Sequence, residues 1–336
     1  MGFSAVQRVI GFLVAGSSLM MLPPVLVSLF YADGTAGLFL VSAASLLALG
    51  LLIYFPVRNA HQELRLRDGF LIVVSAWLVL VLIGAMPFVL LSSPNLSYVD
   101  AVFESMSGLT TTGATIVTDI DALPRAVLYY RQQLQWLGGM GIIVLAVAVL
   151  PMLRIGGMQL YRAETPGPMK DAKLTPRITE TAKALWLIYV GITVTCVFAY
   201  WLAGMKLFDA FGHAFSTVAI GGFSTHSDSL AYWNNPTVEI VAIVFMAVAG
   251  INFALHFTAW RRASAQPYFL DPELKVYASL LYFFAILVSF ALYLTGTYET
   301  LSSSFRYGIL QVVSTMTTTR FTTAPFYTLT GFQPVM

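Results

Sequence analysis

The residues of this chain best suited to chemistry are short runs of threonine and glycine. They read "LTTTGATI" from Leu109 to Ile116 and "TMTTTRFTTAP" from Thr315 to Pro325. Backbone carbonyls and threonine hydroxyls are oxygen ligands that can replace the water shell of a desolvated cation. To turn carbonyls inward in succession, the chain needs a residue comfortable at positive φ, and glycine supplies this without steric cost. Gly113 stands at that point of the first run, whereas Arg320 stands there in the second.

Both runs belong to a longer internal repeat. The stretches "DAVFESMSGLTTTGAT" (100–115), "DAFGHAFSTVAIGGFS" (209–224) and "YGILQVVSTMTTTRFT" (307–322) align without gaps. The glycine column holds Gly113, Gly222 and Arg320. Ser107, Ser216 and Ser314 precede it by six residues, and Glu104, His213 and Gln311 by nine. Asp100 and Asp209 precede it by thirteen, while Thr115, Ser224 and Thr322 follow it by two. Each copy sits after an inward-to-outward span, on an amphipathic segment too short to cross a bilayer, and the first two copies are followed by a returning span. Non-helical backbone at membrane depth survives only where it is buried in protein or lines a water-filled cavity. The pattern therefore predicts re-entrant half-helices around a pore. A fourth copy would fall about a hundred residues beyond Arg320 by the repeat's own spacing. The sequence runs to Met336, so the fourth unit and the second span of the third are expected to be missing, as in a truncated form.

The elements that must hold these loops are spans. Of 336 residues, 58% are hydrophobic and 10% charged, with mean hydropathy +0.78, far from the roughly 25% charged residues of soluble domains. Apolar runs near the 20 residues needed to span a bilayer occur at 9–31, 36–55, 70–93, 126–152, 178–204, 236–260 and 276–296. The first follows Arg8 and lacks a clear small-x-small cleavage site, so it is taken as a retained helix, kinked at Pro23 and Pro24. With the N-terminus inside, thirteen of the eighteen lysines and arginines are cytoplasmic. Arg125, Arg131, Lys206, Arg306 and Arg320 are left outside, and this asymmetry sets the orientation. The fold expected is an all-α polytopic membrane protein with an N-terminal two-helix hairpin (1–60), a first membrane-pore-membrane unit (61–165), a second (166–265) and an incomplete third (266–336). The lone Cys196 allows no intrachain disulfide. No P-loop, dinucleotide fingerprint, CxxC pair or HExxH motif is present, and the scattered histidines support neither a catalytic metal site nor an enzyme.

The stretches "FESMSGLTTTGATIV", "RQQLQWLGGMGIIVLAVAVLP", "GGMQLYRAETPGPMKD", "TVAIGGFSTH" and "NFALHF" resemble the Trk/Ktr/HKT superfamily of potassium transporters, closest to the membrane subunit of the bacterial Trk system. The resemblance implies four membrane-pore-membrane units around a potassium pathway, dimerisation, a cytosolic nucleotide-binding regulatory subunit, and a place in the bacterial inner membrane. It implies that Thr111, Thr112, Ile220, Gly221, Thr318 and Thr319 offer carbonyls to potassium, with Gly113 and Gly222 supplying the turn. Arg320 and the absent fourth unit depart from that pattern. A second reading is a non-conducting subunit that dimerises with full-length copies or scaffolds the regulatory partner. No nucleic-acid partner is implied.

Other polar residues carry alternatives. Glu104 could attract cations or cap the first half-helix. His213 could sense pH or bond within the helix packing. Asn252 and His256, four apart on one helix face, could form a functional polar patch or bond between helices. Gly138, Gly139 and Gly141 suit close helix packing or a hinge. The basic loop 154–177 is an inside anchor or a dock for a cytosolic partner.

Overall fold

The computed structural model describes residues 3–59, 66–141 and 178–323. The chain forms two compact units, one of residues 1–109, 115–117 and 122–186 and the other of 110–114, 118–121 and 187–336.

The first unit holds α1 (Phe3–Ser17), α2 (Leu22–Tyr31), α3 (Ala36–Tyr54), α4 (Leu66–Gly84), α5 (Met86–Val89), α6 (Tyr98–Leu109) and α7 (Arg125–Gly139). Helices α1 and α3 make the N-terminal hairpin, pressed together where a Cβ on Gly50 would lie 2.2 Å from the Ala15 amide nitrogen. Val6, Val9 and Leu13 of α1 pack with Ile72 and Ala76 of α4. The interior face of α3 contains Phe39, Ser42, Leu46 and Gly50, while Leu40, Val41, Leu47 and Leu52 are exposed. A serine and a glycine inside with leucines and a valine outside suit a helix whose solvent is lipid.

The kink expected at Pro23 and Pro24 is a 3-10 turn, Ser18–Met21, just before them. A proline removes the amide that would satisfy the carbonyl four residues back, here those of Leu19 and Met20. The Leu22 amide takes the Leu19 carbonyl, and Gln133 Nε2 of α7 reaches the Met20 carbonyl at 2.7 Å. Asp33, between α2 and α3, accepts from the Ala126 amide at 2.8 Å, satisfying a donor at the open N-terminus of α7.

The helix α8 (Ile178–Leu202) leads into the second unit, which contains α9 (Leu207–Val218), α10 (Pro236–Ala249), α11 (Phe253–Arg262), α12 (Gln266–Leu270), α13 (Pro272–Leu294) and α14 (Leu301–Met316). Asn235 before Pro236 and Asp271 before Pro272 accept from the Thr237 and Leu274 amides, pairing a side-chain cap with proline at the first helical position. Helix α14 packs on α13 and α10. A Cβ on Gly308 would meet Ser289 Oγ at 2.4 Å, and Arg306 donates to both oxygens of Glu239 at 2.7 Å.

Among the described residues, five helices are long and apolar enough to cross a bilayer. The run expected to span at 236–260 is two helices, α10 and α11, bent by 89° at the break between them. Gly250 to Asn252 break it, and Asn252 starts the new helix by accepting from the Ala254 amide at 3.0 Å. Asn252 Nδ2 also donates to Glu273 of α13 at 3.4 Å. His256 contacts the Tyr268 hydroxyl of α12 and the Val248 carbonyl. The two residues bond between helices, each to its own partners. The expected span 126–152 is described only as far as Gly141, and the basic loop 154–177 lies outside the described residues.

Candidate functional site

Three short helices, α6, α9 and α14, each end in a loop at the repeated threonine or glycine run. In all three the backbone enters the left-handed region twice, at the glycine column and two residues before it. The φ values are +54° and +77° at Thr111 and Gly113, +49° and +82° at Ile220 and Gly222, and +65° and +64° at Thr318 and Arg320. Left-handed turns at alternate residues can present consecutive carbonyls to one side.

The glycine column was legible in the sequence, but the column two residues earlier was not. It holds threonine, isoleucine and threonine, the β-branched residues least suited to positive φ. Each such residue costs about 1–3 kcal/mol and persists where its surroundings over-determine it. Three at one column mark a shared, strained conformation. No propensity signal could have found them; only the equivalence of the copies points there.

The loops of residues 110–114, 216–224 and 314–322 lie in the second unit. A Cβ on Gly113 would stand 2.2 Å from the Gly221 carbonyl oxygen, and one on Gly222 would stand 1.8 Å from that of Thr319. Each glycine therefore backs onto the carbonyl one residue before the next copy's glycine column, in the same sense both times. This brings the first loop's Gly113 to the second's Gly221, and Gly222 to Thr319. Thr110 and Thr112 hydroxyls pair at 2.8 Å, as do those of Thr317 and Thr319. Arg320 is exposed, and its amide is held by the Ser314 carbonyl at 3.1 Å.

Glu104 neither caps α6 nor faces water. It is fully buried inside the helix, as is Arg131 of α7, whose Nε donates to it at 2.7 Å. Thr115 Oγ1 and the Ile116 amide also donate to the carboxylate, at 2.9 and 3.1 Å. Arg131, counted above as an outside charge, is an interior one: a buried guanidinium is retained where it is paired and hydrogen-bonded. Gly138 acts in packing, since a Cβ there would stand 1.9 Å from the Leu109 carbonyl oxygen. His213 is buried and hydrogen-bonded.

A cluster that the sequence reading missed lies beyond the second loop. His226 Nδ1 is 2.5 Å from Asp121 and its Nε2 is 3.6 Å from Asp209. Its ring stacks on Tyr232 at 3.5 Å. Burial works against a charged His226, yet hydrogen bonds and charge from Asp209 and Asp121 outweigh it and raise its pKa above 6.5. Burial also opposes ionised Asp121, but the Ser227 amide and His226 outweigh it and keep its pKa below 3.8. A raised histidine contributes stability that is full below its unfolded pKa and lost as pH rises through the folded value. The Asp121 contribution is present above 3.8 and lost as pH falls through its lowered value. The midpoint of thermal unfolding should therefore drop as pH rises above the ordinary histidine value of 6.5, and His226→Gln should flatten that slope. Equal slopes for the two proteins would remove the charged clamp.

The cation transport protein family TrkH matches residues 38–335. The Trk system potassium uptake protein TrkH of Halomonas elongata is 53% identical over all of this chain and 70% of its own length. The protein of the same name from Escherichia coli is 48% identical over the same shares. The crystal structure of the potassium transporter TrkH from Vibrio parahaemolyticus superposes with a TM-score of 0.85 at 44% identity, covering 98% of this chain and 68% of that one. All-helical in its described residues, multi-pass in its apolar helices, and matched along nearly its whole length, this chain belongs to the TrkH family of cation transport proteins.

Proposed function

We propose that the chain takes up potassium across the bacterial inner membrane, N-terminus inside, through a filter built from its three repeat loops. The carbonyls of Thr111, Thr112, Ile220, Gly221, Thr318 and Thr319 line it, and Gly113 and Gly222 make the turns. The observation that carries this reading is the shared pair of left-handed residues in all three loops, with each glycine seated against the next loop's carbonyl. The relatives' printed role in potassium uptake supports the ion. An inside-negative potential drives entry by about 2.3 kcal/mol per charge per 100 mV. A fourth loop, in the same chain or from another, completes the ring. The working partners are a second membrane subunit and a cytosolic nucleotide-binding regulatory subunit.

A second reading is favoured by one residue. Arg320 puts a fixed cation at the third glycine column, and a chain so altered would dimerise or scaffold the regulatory partner without conducting. Rubidium flux into liposomes holding the purified chain separates the two. The first reading expects flux that potassium competes away and that Gly222→Ala abolishes, because the new Cβ would meet the Thr319 carbonyl. A folded chain without flux supports the second, and flux unaffected by Gly222→Ala would sink the filter assignment.

A further inference from the structure

Two polar columns of the repeat, nine residues before the glycine and two after it, are not accounted for by ion ligation. They meet in space. In the first copy Thr115 Oγ1 donates to Glu104 at 2.9 and 3.0 Å and accepts from the Val117 amide at 3.1 Å. In the second, Ser224 Oγ lies 3.0 Å from His213 Nε2 and accepts from the His226 amide at 3.1 Å. His213 Nδ1 is 2.9 Å from the Asp209 carbonyl oxygen, which can only accept, so Nδ1 carries the proton in the neutral ring and Nε2 accepts from Ser224. Donation thus runs the same way in both copies, from amide to hydroxyl to the half-helix side chain.

The acceptor is a carboxylate paired with Arg131 in one copy and an imidazole tied to a main-chain carbonyl in the other. Geometry is shared and charge is not. The first brace is built inside the first compact unit and the second inside the second, so the likeness is not one packing accident seen twice. The third copy is tied through other columns, six residues before the glycine position and one after it, by Ser314 Oγ donating to the Phe321 carbonyl at 2.8 Å.

We infer that Glu104 and His213 are positioning residues that set the loops' carbonyl spacing through Thr115 and Ser224 without touching the ion. The physical need is strain. Thr111 and Ile220 would relax from left-handed φ unless their loops were fixed at both ends. The half-helix fixes the start of each loop, and the brace fixes the end, two residues past the glycine. Because selectivity depends on the placement and number of coordinating carbonyls, loss of the brace should cost ion response before it costs the fold.

This inference rests on the potassium-filter reading, and hydrogen exchange of the purified chain in lipid nanodiscs, in potassium chloride and in choline chloride, tests both separately. In the wild type, potassium should slow exchange over residues 110–117 and 219–226. Thr115→Val should speed exchange at the Val117 amide by about tenfold or more, as expected for one lost hydrogen bond, and abolish the potassium response of its loop. Thr115→Ser, which keeps the hydroxyl, should retain both. Should Thr115→Val fail to fold, Ser224→Ala and Ser224→Thr put the same question in the second unit, read at His226. A potassium response that survives loss of the hydroxyl overturns the brace alone. A wild type indifferent to potassium overturns the filter reading and, with it, the link from brace to ion.

Discussion

Replacing Arg131 with methionine is expected to destabilise the protein by about 3–5 kcal/mol, the cost of leaving a buried charge without its partner. Arg131 and Glu104 are both fully inaccessible, and the guanidinium donates to Glu104 Oε1 at 2.7 Å and to Thr115 Oγ1 at 3.0 Å. Two neutral donors, the Thr115 hydroxyl and the Ile116 amide, do not replace a full charge at short range. The double variant Glu104→Gln/Arg131→Met removes both charges and keeps an oxygen to accept from Thr115. It should recover most of the loss, since replacing a buried pair is far cheaper than breaking it. Thermal unfolding followed by tryptophan fluorescence in detergent would show Arg131→Met lowest and the double variant near wild type. An unchanged midpoint for Arg131→Met would mean the pair is solvated.

Arg131 also shows where the sequence could be read and where it could not. Counting basic residues by side treats each as a solvated charge, which fails for an arginine buried between helices. The cue was local: "YYRQQLQW" sets Arg131 among Gln132, Gln133 and Gln135, all buried, and polar groups inside a span imply interior partners. The aligned columns were legible because each does one physical job in successive copies. Gly113 and Gly222 make the same close approach, and Glu104 and His213 reach the same later column, at Thr115 and Ser224. The partners themselves were not legible, since alignment pairs residues between copies and says nothing of contacts within one. The left-handed φ of Ile220 was hidden because local preference opposes it and only tertiary packing holds it. The 89° break after Ala249 was hidden for a related reason. Hydropathy averages over the window, and three residues of turn at Gly250 to Asn252 barely change that average.

Arg320→Gly is expected to raise rubidium flux through the chain in liposomes more than any other change at that position. Three effects act on the same residue. A left-handed φ of +64° strains any residue with a Cβ by about 1–2 kcal/mol. A guanidinium about 4 Å from a potassium ion repels it by about 4 kcal/mol at an effective dielectric near 20, roughly a thousandfold in occupancy. The third effect is steric. The first two glycines each back onto the next loop's carbonyl, where a Cβ would come within 2.2 and 1.8 Å. If a fourth loop closes the ring in the same sense, the Cβ of residue 320 meets its carbonyl whatever the rest of the side chain carries. Charge and shape then separate experimentally. Arg320→Gln and Arg320→Ala remove the charge and keep the Cβ, so both should gain about a thousandfold in flux at low rubidium. Only Arg320→Gly also relieves the strain and the contact, and it should gain at least a further tenfold, equivalent to about 1.4 kcal/mol. Gln, Ala and Gly variants of equal flux would leave charge as the whole effect, and four equal proteins, Arg320 included, would place this residue outside the ion path.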